Sequence, residues 1–187
     1  MPAPSLRRLH RYLRRFAHDR EAISAVEFAI VLPFMVVLYL GGVELGDGLA
    51  IRFKATAAAR TVADLASQYI CIDNPTMSAI LGAASTVVTP YPAGSMTVIV
   101  SEIATNGSGQ GTITWSQSLG GSAHAVGSSV TLPTAMQTAN ISLIWGEVTY
   151  PYTPQFGIVV TGTINMYESV FFYPRMVSAV TFTSTCT

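Results

Sequence analysis

Charge is scarce in this chain. Only 11% of its 187 residues are charged, against roughly 25% in ordinary soluble domains. From Phe28 to Val43 there is none at all. Basic charge is scarcest downstream, where Arg175 alone faces Asp73, Glu102, Glu147 and Glu168 beyond Cys71 and leaves that region at a net −3. Nucleic-acid binding needs clustered Lys and Arg, so that region is a poor surface for it. Cysteine is limited to Cys71 and Cys186, with no CxxC and no Cys/His cluster, which argues against a zinc site. Outside the N-terminal head the only histidine is His124, expected to be solvated in a Gly/Ser loop. There is no G-x-S-x-G, and "GSGQG" lacks the Lys and following helix of a phosphate loop. The acidic residues form no motif. The expectation is a non-enzyme with no cofactor and no metal.

What the chain does have begins with six of its ten basic residues, Arg7, Arg8, Arg11, Arg14, Arg15 and Arg20, packed into the first twenty positions. The uncharged run "FAIVLPFMVVLYLGGV" follows, and extending it back to Ala22 leaves Glu27 as the only charge. About 20 such residues cross a bilayer core. The basic flank places the N-terminus in the cytoplasm and the remainder outside. Three readings fit: a removable signal peptide, a plain signal anchor, and a signal cut before the apolar run so that the run stays in the mature chain. The first wants a small-x-small site just after the run, and "GGVELGDG" stands there instead. The second gives no reason for Glu27, whose carboxylate is costly at the edge of a membrane.

No proline occurs between Pro33 and Pro75. Leu45, Leu49 and Phe53 recur at i+4, and Val62, Leu65, Ala66 and Tyr69 continue a stripe. "KATAAARTVADLASQ" is rich in alanine, the best helix former. One helix from about Ser24 to about Tyr69 is predicted, bent at Pro33 and stopped by Asp73-Asn74-Pro75. Glu44 and Asp47 read as ordinary residues of the outer interface. The organisation is a cytoplasmic basic leader over residues 1–22, open to cleavage; a long helix over residues 23–70, membrane-embedded over about 24–43; and a β-rich domain outside the cytoplasm over residues 71–187. If that domain is exported, Cys71 and Cys186 read as a disulfide tying the helix end to the C-terminus, two buried thiols being the alternative.

After Pro75 the pattern turns to strands. Met96, Val98 and Val100 alternate, as do Ile113 and Trp115, and "ANISLIWGEVTY" and "IVVTGTINMY" are rich in β-branched and aromatic residues. "FFYPR" and "VSAVTFTST" suggest a last strand. Four to six mostly antiparallel strands are expected against the outer half of the helix, with short helices near residues 76–84 and 133–138. Tyr150, Pro151, Tyr152, Pro154 and Phe156 read as a rigid turn with partly buried rings, an exposed contact surface being the alternative.

The basic leader, "AISAVEFAIVLPF" and the long helix resemble the TadE-like pseudopilins of bacterial Tad pilus systems. In that family a small residue precedes the cut and a Glu stands fifth in the mature chain, followed by an aromatic and later a proline. Here Ala22, Ile23, Glu27, Phe28 and Pro33 take those places, with Ala22 where the family usually has Gly. The stretch from Val130 to Gly157 and "FFYPR" resemble the family's C-terminal part more loosely. The resemblance implies an α+β, pilin-like fold, a long membrane-spanning helix packed on a mostly antiparallel sheet. It implies a minor pilin or pseudopilin of a type IV pilus, in the inner membrane with its C-terminal domain periplasmic or in the extracellular filament. The partners it implies are a prepilin peptidase, the major pilin and other minor pilins, inner-membrane platform proteins and the lipid bilayer, with no nucleic acid. It also implies that Glu27 meets the N-terminal amine of a neighbouring subunit, the alternative being a Glu27 at the cytoplasmic interface that snorkels to water without a partner. An uncleaved, membrane-anchored assembly or binding protein is the alternative.

Overall fold

The computed structural model describes residues 20–157 and 162–186. Most of the expected basic leader, and the first residues of the strand expected over 158–167, lie outside the described residues. The described residues fall into two compact units: the first helix up to Gly46 with residues 155–157, and residues 47–154 with 162–186.

Helix α1, Arg20–Ser67, is continuous through Pro33. It ends in a tightened turn, where the amides of Gln68 and Tyr69 bond the carbonyls of Leu65 and Ala66. Strand β1, Cys71–Ile72, follows, and then helix α2, Asn74–Val88. Asp73-Asn74-Pro75 was expected to stop the first helix; it starts the second. Asp73 caps α2 by accepting the Thr76 amide at 3.0 Å, and Pro75 occupies the first turn, where its missing N–H is no loss. Those hydrogen bonds from Thr76 hold the Asp73 carboxyl below its ordinary range. Met77, Ile80, Leu81, Ala84 and Val88 form the buried face of α2, which covers the expected short helix and extends it.

Strands β2, Thr97–Thr105, β3, Gly111–Leu119, β4, Ser129–Val130, β5, Ser142–Tyr152, and β6, Ile164–Phe172, build one antiparallel sheet in the order β4-β3-β2-β5-β6. A 3-10 turn at Thr134–Met136 stands where the second short helix was expected. Tyr150, Pro151 and Tyr152 belong to β5 rather than to a turn, and both tyrosine rings are buried. The Tyr150 hydroxyl donates to the Pro92 carbonyl at 3.0 Å. The expected last strand divides in two: Phe171 and Phe172 finish β6, and β7, Thr181–Phe182, runs parallel to β1 as a separate two-stranded pair.

The α+β class and the helix-on-sheet arrangement are as expected, and of the expected helix stripe Val62 and Ala66 are buried, but its earlier half is not. Leu45, Leu49 and Phe53 are exposed, Phe53 by 71%. Ala55, Ala58, Ala59 and Ala63 are buried beside Val62 and Ala66, in one core with Val98, Val100, Ile144 and Val148 of the sheet. Close approach explains the choice. A Cβ added to Gly146 on β5 would lie 2.7 Å from the Ala59 carbonyl oxygen and 2.8 Å from the Ala63 Cβ, so only small residues fit at this contact. The opposite sheet face carries a second cluster of Ile103, Ile113, Leu132 and Leu143.

A C-terminal strap closes the sheet domain onto the end of α1. The Arg175 amide donates to the Ser67 carbonyl at 2.8 Å, and its guanidinium pairs with Asp64. The amides of Thr181 and Thr183 donate to the carbonyls of Ile70 and Ile72. Cys71 and Cys186 are joined in a disulfide, as expected.

Candidate functional site

The first half of α1 has the composition of a membrane helix. Its most apolar window has a mean hydropathy of 2.3, and none of that window is buried. Every residue from Ile23 to Tyr39 is exposed, so the fold supplies no protein cover for Phe28, Val31, Phe34 or Leu38. Pro33 lies inside this stretch, and its ring leaves the carbonyl four residues earlier without the usual helical donor. Ala22 is helical, and Ile23 follows it. Ile23 and Glu27 stand four residues apart, on one face of the helix about 6 Å apart along its axis. Glu27 is exposed, and its carboxylate has no ion pair among the described residues. The arrangement presents one carboxylate, followed directly by the Phe28 ring, on an otherwise apolar rod.

At the other end of the apolar run the structure departs from expectation. Glu44 is only 6% exposed, and its Oε1 accepts the Phe156 amide at 2.8 Å. Gly41, one turn earlier, is buried as well, so this face of the helix is covered, whereas Gly42 beside it is open. The position of Glu44 one residue past the run was visible in the sequence, but its partner lies 112 residues away.

Two further carboxylates that looked scattered are each built into the sheet. Glu102 is buried and accepts three hydrogen bonds: from the Ser142 hydroxyl at 2.5 Å and the Val180 amide at 2.8 Å on Oε1, and from the Thr114 hydroxyl at 2.8 Å on Oε2. Thr114 sits where the β2–β3 register shifts, so the carboxylate occupies the irregularity. The Trp115 indole N–H donates to the Val180 carbonyl at 2.7 Å, which fixes both sides of that residue.

Glu147, also buried, joins His124 Nε2 at 2.5 Å and the Tyr167 hydroxyl at 2.7 Å. His124 is therefore not merely solvated. Its ring stacks on Trp145 at 4.8 Å, and Trp145 stacks on Phe171 at 5.7 Å. Burial, reinforced by the bond to Glu147, pushes the Tyr167 hydroxyl up to about 12. The group holds the 120–128 loop against the sheet. The His124 backbone amide donates to the Ser116 hydroxyl at 3.0 Å, the ring nitrogen Nε2 meets only Glu147 among the described residues, and no three metal-ligating side chains gather among them. A single strand that alternates cannot reveal this group, because it depends on the pairing of β5 with β6 and on the loop after β3.

Comparison with known proteins bears on the helix. No curated protein and no solved structure matches the chain. Residues 22–64 match the family model for TadE-like protein, a span that includes Ile23, Glu27, Phe28 and Pro33. The match and the helix's length and apolarity together point to membrane association and to the pilin-like proteins of Tad pilus systems. Over residues 22–64, the segment that carries the exposed apolar rod and its single carboxylate, this chain is similar to TadE-like proteins.

Proposed function

We propose that the protein is a minor pilin or pseudopilin of a Tad-type pilus. It inserts with its N-terminus in the cytoplasm, is cut between Ala22 and Ile23, and enters the filament through α1 to prime, assemble or cap it. The observation that carries this reading is the uncovered first half of α1, whose only charge between Ile23 and Val43 is Glu27. A carboxylate in that setting is costly unless paired. Cleavage would create an α-amine on Ile23, and the Glu27 of a neighbouring copy or another pilin would neutralise it as the helices pack. Pairing would fix the axial register of one helix against the next, as buried polar contacts do in coiled coils. The exposed Leu45, Leu49 and Phe53 extend the apolar face available to other subunits beyond the membrane run. The sheet domain would lie in the periplasm, or on the filament surface after assembly.

Ala22 in place of the usual Gly favours one second reading, an uncleaved single-pass protein that assists assembly without joining the filament. Mass spectrometry of the mature N-terminus separates the two. A chain beginning at Ile23 is expected. A chain retaining Met1 would replace the pseudopilin with the anchored assembly protein.

A further inference from the structure

The contact between Glu44 and Phe156 lies where the apolar run ends. From Phe28 to Val43 an α-helix rises about 24 Å, and from Ile23 about 31 Å, at about 1.5 Å per residue. The hydrocarbon core of a bilayer is about 30 Å thick. With Glu27 at the inner edge, Glu44 falls at the outer edge, at the level of the headgroups. A carboxylate there is costly if it is covered without partners. Glu44 is nonetheless covered, and its Oε1 takes the Phe156 amide at 2.8 Å. That bond sets the height of the loop: the Phe156 backbone is held at the level of Glu44.

The loop carries the chemistry of such a boundary. The Phe156 ring is 53% exposed although it is a large apolar group. The sequence holds no charged residue between Glu147 and Glu168. Gly157, with φ 62°, turns the backbone immediately after the ring. The Phe156 amide, which hydrocarbon could not satisfy, is already bonded to Glu44. Large apolar side chains such as Phe, held at headgroup depth, bury themselves at the boundary of headgroups and acyl chains.

We propose that Phe156 is a second membrane contact, with its ring inserted into the outer-leaflet interface beside α1 while the protein resides in the bilayer. The partner is the lipid surface. This contact rests on the reading of α1 as a membrane span, and it adds a lateral foot to what would otherwise be a single-helix anchor. It would have to be withdrawn when the helix leaves the bilayer for a filament.

Site-directed spin labelling tests it on the full chain in phosphatidylcholine–phosphatidylglycerol vesicles. Single cysteines are placed by Phe156→Cys, Val36→Cys and Val126→Cys, the native pair being disulfide-bonded. A label at 156 is expected to collide with a water-soluble nickel chelate several-fold less often than one at 126, and with oxygen more often. A 156 label as open to nickel as the 126 label, with the 36 label in lipid, overturns the proposal alone. So does a 156 label shielded from both reagents, which would mean packing against protein. A 36 label open to nickel removes the membrane span, and this contact with it. Phe156→Trp keeps a ring and gives a check against misfolding: brominated lipid should quench its added fluorescence, and unquenched fluorescence counts against insertion.

Discussion

Gly146 and Ala63 meet so closely that a methyl group on the glycine would come within 2.8 Å of the alanine Cβ. This is the point where α1 is seated on the sheet, and both residues are small because neither has room to be larger. Gly146→Ala is expected to destabilise by about 1–3 kcal/mol through overpacking, and Gly146→Val by more. Gly94, whose added Cβ meets nothing within 4 Å, is the control, and Gly94→Ala should be near neutral. Thermal or urea denaturation of the detergent-solubilised protein measures the difference.

The Cys71–Cys186 disulfide closes a span of 115 residues. Thiol alkylation is expected to add mass only after reduction, and labelling without reductant would contradict the bond. Chain-entropy reasoning for a loop of this size gives about 5 kcal/mol, so Cys71→Ser with Cys186→Ser should unfold at distinctly lower urea.

Glu102 accepts from Ser142, Thr114 and the Val180 amide in a buried site. Glu102→Leu leaves these donors without an acceptor and should cost about 3 kcal/mol. Glu102→Gln should cost less, because its carbonyl oxygen can still take the Val180 amide. Faster hydrogen exchange at the Val180 amide in Glu102→Leu, and not in Glu102→Gln, would locate the damage.

The Tyr167 hydroxyl is held up to about 12 from its ordinary value of 10, by burial first and by its bond to Glu147 second. The folded state therefore keeps this proton to higher pH than the unfolded state does. The associated stability is complete below about pH 10 and is lost as pH rises through about 12. An ultraviolet phenolate titration should show a late step that Tyr167→Phe removes. The same variant should also soften the alkaline fall in stability, and an unchanged titration would detach Tyr167 from it.

Glu27→Ala should leave the protein in the membrane fraction, because it removes a charge from an apolar helix. Piliation should be lost. Normal filaments from that variant would remove Glu27 from assembly.

Much of α1 was legible in the sequence, because a proline-free, alanine-rich stretch after an apolar run has few other solutions. Its orientation was not legible. Hydropathy ranks Leu49 and Phe53 above Ala59 and Ala63 as core residues, yet the sheet takes the alanines because contact at Gly146 demands small groups. Asp73 and Pro75 carry the same composition whether they end a helix or begin one, and the capping bond to Thr76 decides between them. β1 and β7 are too short for any periodic signal. Ile23, Glu27 and Phe28 are proposed from the resemblance at the start of the apolar run, and the fold leaves all three exposed. Glu44, Glu102 and Glu147 owe their roles to partners that only the folded chain brings near.

The strap at the C-terminus has a mechanical meaning. α1 runs directly to Ser67, and the backbone from there reaches Cys71 within four residues and crosses to Cys186. Tension applied along the helix can therefore travel to the end of the chain through covalent bonds that bypass every strand of the five-stranded sheet. A load applied between α1 and Cys186 would be borne by sulfur and backbone, leaving the hydrogen bonds between β2, β3, β5 and β6 out of the line of force.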